Sequence, residues 1–244
     1  MGPETLMEID DSIRHFRSVF EKSFPVAVGD QNSVTLMWPS LEYSGRSSGG
    51  SDLPMTSWTA IINMYVDADE FDEKCLPIGI LELHTLPLSG DPGETLDAVS
   101  TDTASYMRLF GRGGDFRDSV EEQFDYPNLS GLLIVDRAYV HPALRNRNIG
   151  AWSVVQAVHD LTFGASVFVA ACPSPTEPRT GQSTETGAAR LATYWEKSGL
   201  QRIDDCPTLV GQTTDGPVFS CARETLANVA SIEVTFRPDE LKLS

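Results

Sequence analysis

The segment YVHPALRNRNIGAW at residues 139–152 places two arginines and a glycine where a helix should begin. Apolar residues on one stripe over 149–161 predict that helix. The first N–H groups of a helix have no partners inside it, and the helix dipole is positive at this end. Arg145 and Arg147 beside such amides indicate a phosphate or pyrophosphate site, and Gly150 would let the ligand approach the backbone closely. The alternative from these residues alone is that the arginines are solvated and Gly150 only packs.

A resemblance to a known family supports the phosphate interpretation. The segment VDRAYVHPALRNRNIGAW at 135–152 resembles the acyl-CoA-binding segment of the GCN5-related N-acetyltransferase family. That segment is a strand ending in V-x-P, followed by [RQ]-x-x-G-x-[GA] at a helix start. Residues 145–150 of this chain read RNRNIG, so the last glycine is present and Asn148 replaces the first. Asparagine adopts left-handed backbone more readily than most residues, so the loop geometry can survive this replacement.

The resemblance implies how acetyl-CoA, the acyl donor, is bound. The backbone amides of 146–151 would hold the pyrophosphate, and the strand backbone of 138–140 would pair with the pantetheine arm. The implied cofactor-binding residues are Tyr139, Val140, Arg145, Asn146, Arg147, Asn148, Ile149, Gly150 and Ala151. The resemblance implies no metal.

A second segment, AARLATYWEKSGLQRI at 188–203, resembles the A-x-x-[FL]-Y-E-K-x-G-F helix of the same family. Two such motifs in order are more specific than either alone, and together they cover about 130–200. The family's tyrosine, often the acid that protonates the leaving CoA thiolate, falls on Trp195, whose indole cannot donate a proton in this way. The adjacent Tyr194 is the candidate acid, although one residue along a helix turns a side chain by about 100°. Trp195 is then interpreted as a packing aromatic.

Amine acylation also needs a group that removes the ammonium proton. Asp136 lies on the strand that leads into the first motif, on the same alternating face as Ala138 and Val140 unless a bulge intervenes. Glu82 and His84 share one face of ILELH, which is predicted to be the neighbouring strand. Asp136 and Glu82 are therefore the candidate bases, and the alternative for each is a solvated or packed residue.

Composition and charge are those of a soluble globular protein. A length of 244 residues with 41% hydrophobic residues fits one elaborated domain better than two. The formal net charge of −17 disfavours nucleic acid and anionic membranes and favours a cationic partner, although acidity can also merely keep a protein soluble. The 4 cysteines are widely spaced and form no CxxC pair, which argues against a zinc site or a disulfide framework. Without a signal peptide or a membrane-length apolar run, the sequence predicts a cytoplasmic protein.

The order of predicted elements indicates an α/β fold with a mixed, mostly antiparallel central sheet, flanked by helices, in which a parallel pair splays at the cofactor site. We expect a single domain over 1–244, with an N-terminal extension at about 1–55, an insertion at about 88–130 and a cofactor-binding core at about 131–200. Strands are predicted at 33–43, 57–68, 76–86, 131–141, 166–172 and 231–238, helices at 5–24 (ended by Pro25), about 149–163 and about 187–198, and a hairpin at 208–222 that turns at Asp215-Gly216.

The sequence thus predicts an acyl-CoA-dependent N-acetyltransferase that transfers acetyl directly to a primary amine in a ternary complex. Its partners would be acyl-CoA and an amine acceptor, either a small cationic amine or a lysine side chain, with no nucleic acid and no membrane. The sequence allows a homodimer and does not specify the amine or the acyl chain length. The alternative is a non-catalytic protein of the same fold that binds CoA as a sensor or interaction module. A dinucleotide-binding enzyme is disfavoured because no GxGxxG follows an early strand.

Overall fold

The fold is given by a computed structural model that describes residues 3–29, 32–47, 55–67, 74–88, 92, 95–96, 103–124, 128–175 and 183–243. Its strands are β1 (Val34–Ser47), β2 (Thr56–Val66), β3 (Lys74–Pro87), β4 (Gly131–Val140), β5 (Val167–Ala171), β6 (Gln201–Ile203), β7 (Cys206–Thr213) and β8 (Glu233–Phe236). Its α-helices are α1 (Pro3–Val28), α2 (Asp118–Phe124), α3 (Ile149–Thr162), α4 (Thr184–Trp195) and α5 (Val218–Thr225). Among the described residues, no helix is long and apolar enough to cross a membrane.

The strands form one sheet in the order β6-β7-β5-β4-β3-β2-β1-β8. Within the described part of the chain, β4 and β5 are the parallel pair, and the other neighbours run antiparallel. The β4–α3–β5 crossover therefore sits in the middle of a sheet built otherwise from antiparallel neighbours, and the predicted fold class is confirmed.

Apolar side chains cover both faces of the sheet. One core joins α1 and α3 to the sheet, and it includes Phe16, Leu81, Val135 and Val158. The other face is covered by the segment between β3 and β4, which was predicted as an insertion at about 88–130. Its described apolar residues pack on strands β3, β4, β5 and β7 through Leu96, Tyr106, Leu109, Phe110, Phe116, Val120 and Phe124. That segment is thus a layer of the fold that helps to enclose the centre of the sheet.

The predicted helix at 5–24 is confirmed, but its predicted end at Pro25 is wrong. Pro25 does not end the first helix, because α1 continues to Val28 and the Gly29 amide still donates to the Pro25 carbonyl at 3.0 Å. A proline inside a helix lacks its own N–H bond and crowds the carbonyl four residues earlier, and the burial of Ala27 and Val28 in the last turn offsets that cost.

The predicted hairpin at 208–222 is also wrong in its second half. After β7 the chain enters α5, whose residues Phe219 and Ala222 are buried at helical spacing with Leu226 just beyond. The true hairpin joins β6 to β7. The Asp215-Gly216 pair is a turn signal that precedes a helix here, with Pro217 at the helix start where a missing N–H costs little.

Candidate active site

The parallel strands β4 and β5 part near the centre of the sheet. Their register pairs 131–135 with 167–171, so β4 runs five residues beyond its last partner, from 136 to 140. On its other edge this part of β4 stays paired with β3, where the His141 amide donates to the Ile78 carbonyl at 2.8 Å. Because strand amides alternate between edges, Ala138 and Val140 direct their N–H and C=O groups away from β3, towards the space that β5 leaves. Tyr139 directs its own backbone groups towards β3.

A β-bulge lies at Asp136, where the strands part. The β3–β4 register pairs Glu82 with Arg137 but Leu83 with Val135, which leaves Asp136 as the extra residue. A bulge breaks the alternation of side chains and bends the strand. The Asp136 side chain consequently faces His84 on β3, at 3.8 Å between Oδ2 and Nε2.

A cavity of about 330 Å³ occupies the gap between the two strands. Its walls come from β4, the end of β5, the start of α3 and one side of α4. The predicted site residues that line it are Asp136, Tyr139, Val140, Arg145, Asn146, Asn148, Ile149, Gly150 and Tyr194. Glu82, Arg147 and Ala151 are not part of its lining. The structure therefore brings most of the predicted cofactor loop together with one of the two candidate bases.

The loop before α3 takes the backbone form that the sequence suggested for asparagine. Asn148 is the N-cap of α3 with φ of 61°, and Asn146 also has a positive φ of 67°. The Lys197 ammonium donates to the Asn148 side-chain oxygen at 2.9 Å. The second motif thus holds the first through a side-chain bond, and both left-handed positions carry the non-glycine residue that tolerates them best.

Positive charge gathers at the cavity although the chain as a whole is strongly acidic. Arg145 and Arg190 contribute to the lining, as does Arg137, which is bound to Glu82, and Asp136 is the one carboxylate among the described lining residues. Arg145 donates through Nε to the Val140 carbonyl at 3.0 Å and stacks on the Tyr139 ring. Arg147 instead extends over the ring of Phe236 on β8. The cavity is therefore suited to an anion, and Arg145 is the arginine of the motif that faces it.

Tyr194 brings a hydroxyl to the first turn of α3. The Ala151 amide donates to the Tyr194 hydroxyl oxygen at 2.9 Å, and a Cβ at Gly150 would lie 3.1 Å from the same oxygen. Burial raises the pKa of Tyr194, while the amides of Ala151 and Gly150 act in the opposite direction. The hydroxyl thus keeps its proton at neutral pH and can donate it to an anion at the helix start. Its neighbour Trp195 is buried and packs edge-on against it.

The sheet face beside Asp136 carries two polar pairs. The His84 Nε2 atom faces Asp136, and its Nδ1 atom lies 3.1 Å from the Ser57 hydroxyl. Arg137 donates to the Glu82 carboxylate at 2.9 Å. The side chains of both pairs are at most 19% exposed. Glu82 is therefore neutralised by a strong charge-assisted bond, whereas the partner of Asp136 is a histidine at a longer distance.

His141 is buried and fixes the turn before α3. Its Nε2 atom lies 3.0 Å from the Leu241 carbonyl, and Nδ1 accepts from the Ala143 amide at 3.3 Å. It also stacks on the Phe20 ring. Burial lowers the pKa of His141, as does the nearby Arg145, while the bond to Leu241 raises it.

This lowered pKa predicts a loss of stability on mild acidification. The unfolded chain takes up the His141 proton near its ordinary pKa of 6.5 and the folded chain only at lower pH. The contribution of a neutral His141 is therefore complete above that pKa and is lost as the pH falls below it. Urea unfolding of the wild type and of His141→Asn at neutral and mildly acidic pH checks this. The variant should show a shallower pH dependence, and equal slopes would contradict the assignment.

Several residues at the site escaped sequence interpretation. Arg190 is an exposed arginine on α4 with no motif of its own, and only the helix periodicity relative to Leu191 and Tyr194 could have placed it at the cavity. Ser57 and Tyr106 come from segments far from both motifs, and no local signal marks them. Within the described ranges, no group of three or more His, Cys, Asp or Glu side chains could hold a metal ion.

Known proteins resemble this chain in structure but not in sequence. No family model and no curated protein matches this sequence. A solved structure of Arabidopsis thaliana NAA60 in complex with acetyl-CoA is similar at 11% identity, covering 72% of this chain and 100% of that chain, with a TM-score of 0.33.

Proposed function

We propose that this protein is an acyl-CoA-dependent N-acyltransferase that transfers acetyl from acetyl-CoA to a primary amine by direct attack in a ternary complex. The observation that carries the proposal is the cavity at the β4–β5 fork, whose lining joins the N-terminus of α3 and Arg145 with the partly buried carboxylate of Asp136. The resemblance of 135–152 and 188–203 to acyl-CoA-binding motifs supports the same assignment. The net charge of −17 fits a cationic acceptor, either a small amine or a lysine side chain.

The anionic end of the donor would bind at the start of α3. The backbone amides of 146–150 lie at the positive end of the helix dipole, and Arg145 and Arg190 add full charges to the lining of the same cavity. Because the Ala151 amide already donates to Tyr194, the tyrosine hydroxyl would present its own proton to the pyrophosphate in place of that amide. The loop therefore offers the pyrophosphate a cradle of backbone and side-chain donors.

The pantetheine arm would lie along the free edge of β4. Ala138 and Val140 present backbone N–H and C=O groups on this edge. The amide groups of the pantetheine arm can bond to them as a neighbouring strand would. The Arg145 bond to the Val140 carbonyl occupies one of these acceptors and leaves the N–H groups directed at the cavity. Such an N–H near Val140 would polarise the thioester carbonyl where negative charge develops.

Asp136 is proposed as the base that receives the proton of the attacking ammonium. It is the carboxylate among the described residues that line the cavity. His84 lies beside it on the sheet face and contacts Ser57, so the proton would pass from Asp136 to these side chains. Glu82 stays a second candidate, but its carboxylate is bound to Arg137 and does not line the cavity. Transfer would then need only positioning, a polarised carbonyl and this base.

Tyr194 has two proposed roles that a single variant separates. If its hydroxyl binds the pyrophosphate, as its contact with Ala151 favours, Tyr194→Phe should weaken acetyl-CoA binding about tenfold and leave kcat nearly unchanged. If it protonates the leaving thiolate, the same variant should lower kcat and leave binding unchanged. Calorimetric binding together with steady-state kinetics decides, and an effect on neither quantity would remove Tyr194 from the site.

The proposed function is tested by calorimetric titration with acetyl-CoA, followed by thiol-release assays over a panel of primary amines. Binding and amine-dependent thiol release support the acyltransferase. Binding without release on any amine favours the alternative, a non-catalytic CoA-binding protein. An Arg145→Gln variant serves as a control because it removes one cation from the anionic end, so it should weaken any CoA binding that occurs in this cavity.

A further inference from the structure

We propose that Tyr106 is a positioning residue that holds the β4–β5 fork open for the pantetheine arm of acyl-CoA. This inference rests on the proposed function for the identity of the ligand. It also assigns a role to the segment between β3 and β4, whose purpose the sequence left open.

Tyr106 reaches the fork from the face of the sheet opposite α1 and α3. It lies in a 3₁₀ helix, Thr103–Leu109, and its side chain is 1% exposed. The Cys172 amide donates to its hydroxyl at 3.0 Å, and the hydroxyl is 3.4 Å from the Val135 carbonyl oxygen, to which it donates. Val135 is the last β4 residue with a partner on β5, and Cys172 is the first residue after β5.

The Tyr106 hydroxyl occupies the position of the next backbone hydrogen bond between β4 and β5. Before the bulge, the Ser130 carbonyl accepts from the Leu88 amide just after β3, so by the alternation of strand backbone groups Val135 directs its own groups away from β3 and towards β5. With Val135 opposite Ala171, a regular parallel ladder would continue from the Cys172 amide to the Val135 carbonyl. Tyr106 instead bonds to both groups. It thus separates the two strands by the width of one hydroxyl at the point where the cavity begins.

The position of Tyr106 is fixed from both sides of its helix. The Thr103 hydroxyl donates to the Leu96 carbonyl at 2.8 Å. Near the other end of the same 3₁₀ helix, the Cys206 thiol on β7 donates to the Arg108 carbonyl at 3.3 Å. Both Val135 and Cys172 line the cavity, whereas Tyr106 itself does not. The tyrosine therefore acts through these two residues and is expected to shape the site without touching the ligand.

Removal of the hydroxyl leaves the Cys172 amide and the Val135 carbonyl to pair directly or to lose a partner. Direct pairing extends the parallel ladder and narrows the fork, and loss of a partner loosens it. Either change affects the part of the cavity that holds the arm. Neither change reaches the start of α3, where the nucleotide half would bind.

The test compares Tyr106→Phe with the wild type using two probes, coenzyme A and its nucleotide half, 3′-phospho-ADP, which lacks the pantetheine arm. We expect Tyr106→Phe to weaken coenzyme A binding about tenfold and to leave 3′-phospho-ADP binding unchanged. Tyr43→Phe is the matched control, because it removes a half-buried hydroxyl that bonds to Asp160, away from the cavity. It should leave the binding of both probes unchanged.

A second measurement needs no ligand. Amide hydrogen exchange at Cys172 should change in Tyr106→Phe and stay at the wild-type rate in Tyr43→Phe. The same loss for both probes in Tyr106→Phe, or a loss for neither, overturns the proposal, as does an unchanged exchange rate at Cys172. Failure of the wild type to bind either probe instead overturns the proposed function and the ligand named here, while the exchange rate still decides whether Tyr106 holds the strands apart.

Discussion

The Asp136→Asn variant is expected to bind acetyl-CoA as the wild type does and to lose about 10²–10³-fold in kcat/KM for the amine. The substitution keeps the size and the hydrogen-bonding shape of the side chain but removes its ability to accept a proton. Asp136 sits at the bulge of β4 and is the carboxylate among the described residues that line the cavity, which is why it is the proposed base. A base that acts only in the chemical step changes turnover without changing donor affinity.

Glu82→Gln is the variant whose turnover is compared with that of Asp136→Asn. Glu82 lies on the neighbouring strand, but its carboxylate is bound to Arg137 and it does not line the cavity. We expect a smaller loss of turnover than for Asp136→Asn. Glu224→Gln, an exposed acid on α5, controls for the change in net charge and should retain wild-type kinetics. Thiol release with the best amine of the panel measures all three variants. Full turnover in Asp136→Asn with a large loss in Glu82→Gln would exchange the roles of the two carboxylates.

The backbone of the loop before α3 could be predicted from sequence because its signals are local. The start of α3 at Ile149 follows from the apolar stripe and the loop before it, and the left-handed Asn148 follows from the motif position that a glycine would occupy. Capping and turn preferences act within a few residues, so they can be interpreted without knowledge of the rest of the chain.

The fork end of the site could not be predicted in the same way, because it depends on contacts between distant segments. The bulge at Asp136 is defined by the register of β4 against β3, which only the assembled sheet sets. Tyr106 bonds to Val135, which follows it by 29 residues in the chain, and Ser57 contacts His84, which follows it by 27 residues. A motif can suggest that two strands part, but the side chain that separates them has no signature of its own. The wrong hairpin at 208–222 has the same origin, since a turn signal does not say which element follows it.

A Gly79→Ala variant is expected to lose about 2–3 kcal/mol of folding free energy, which is a large share of the stability of an ordinary domain. Gly79 is paired with Val140 at the end of β4. A Cβ there would overlap the backbone oxygen of Tyr139 and lie 2.9 Å from the Ile62 side chain. Ile62 can turn aside, but the Tyr139 oxygen belongs to the paired strand and cannot move without shifting the β3–β4 register.

The close approach of Gly79 to β4 also links the stability of the sheet to the shape of the candidate active site. Crowding at Gly79 pushes on Val140, whose outer edge is proposed to receive the pantetheine arm and whose carbonyl holds Arg145. Gly79→Ala should therefore weaken coenzyme A binding even at temperatures where the variant is folded. Gly216→Ala is the matched control, since a Cβ at that position meets no atom within 4 Å. Urea unfolding and calorimetric titration of both variants measure the two effects. A Gly79→Ala protein as stable as the control would show that β3 and β4 can move apart, and the placement of the Val140 edge by Gly79 would then be wrong.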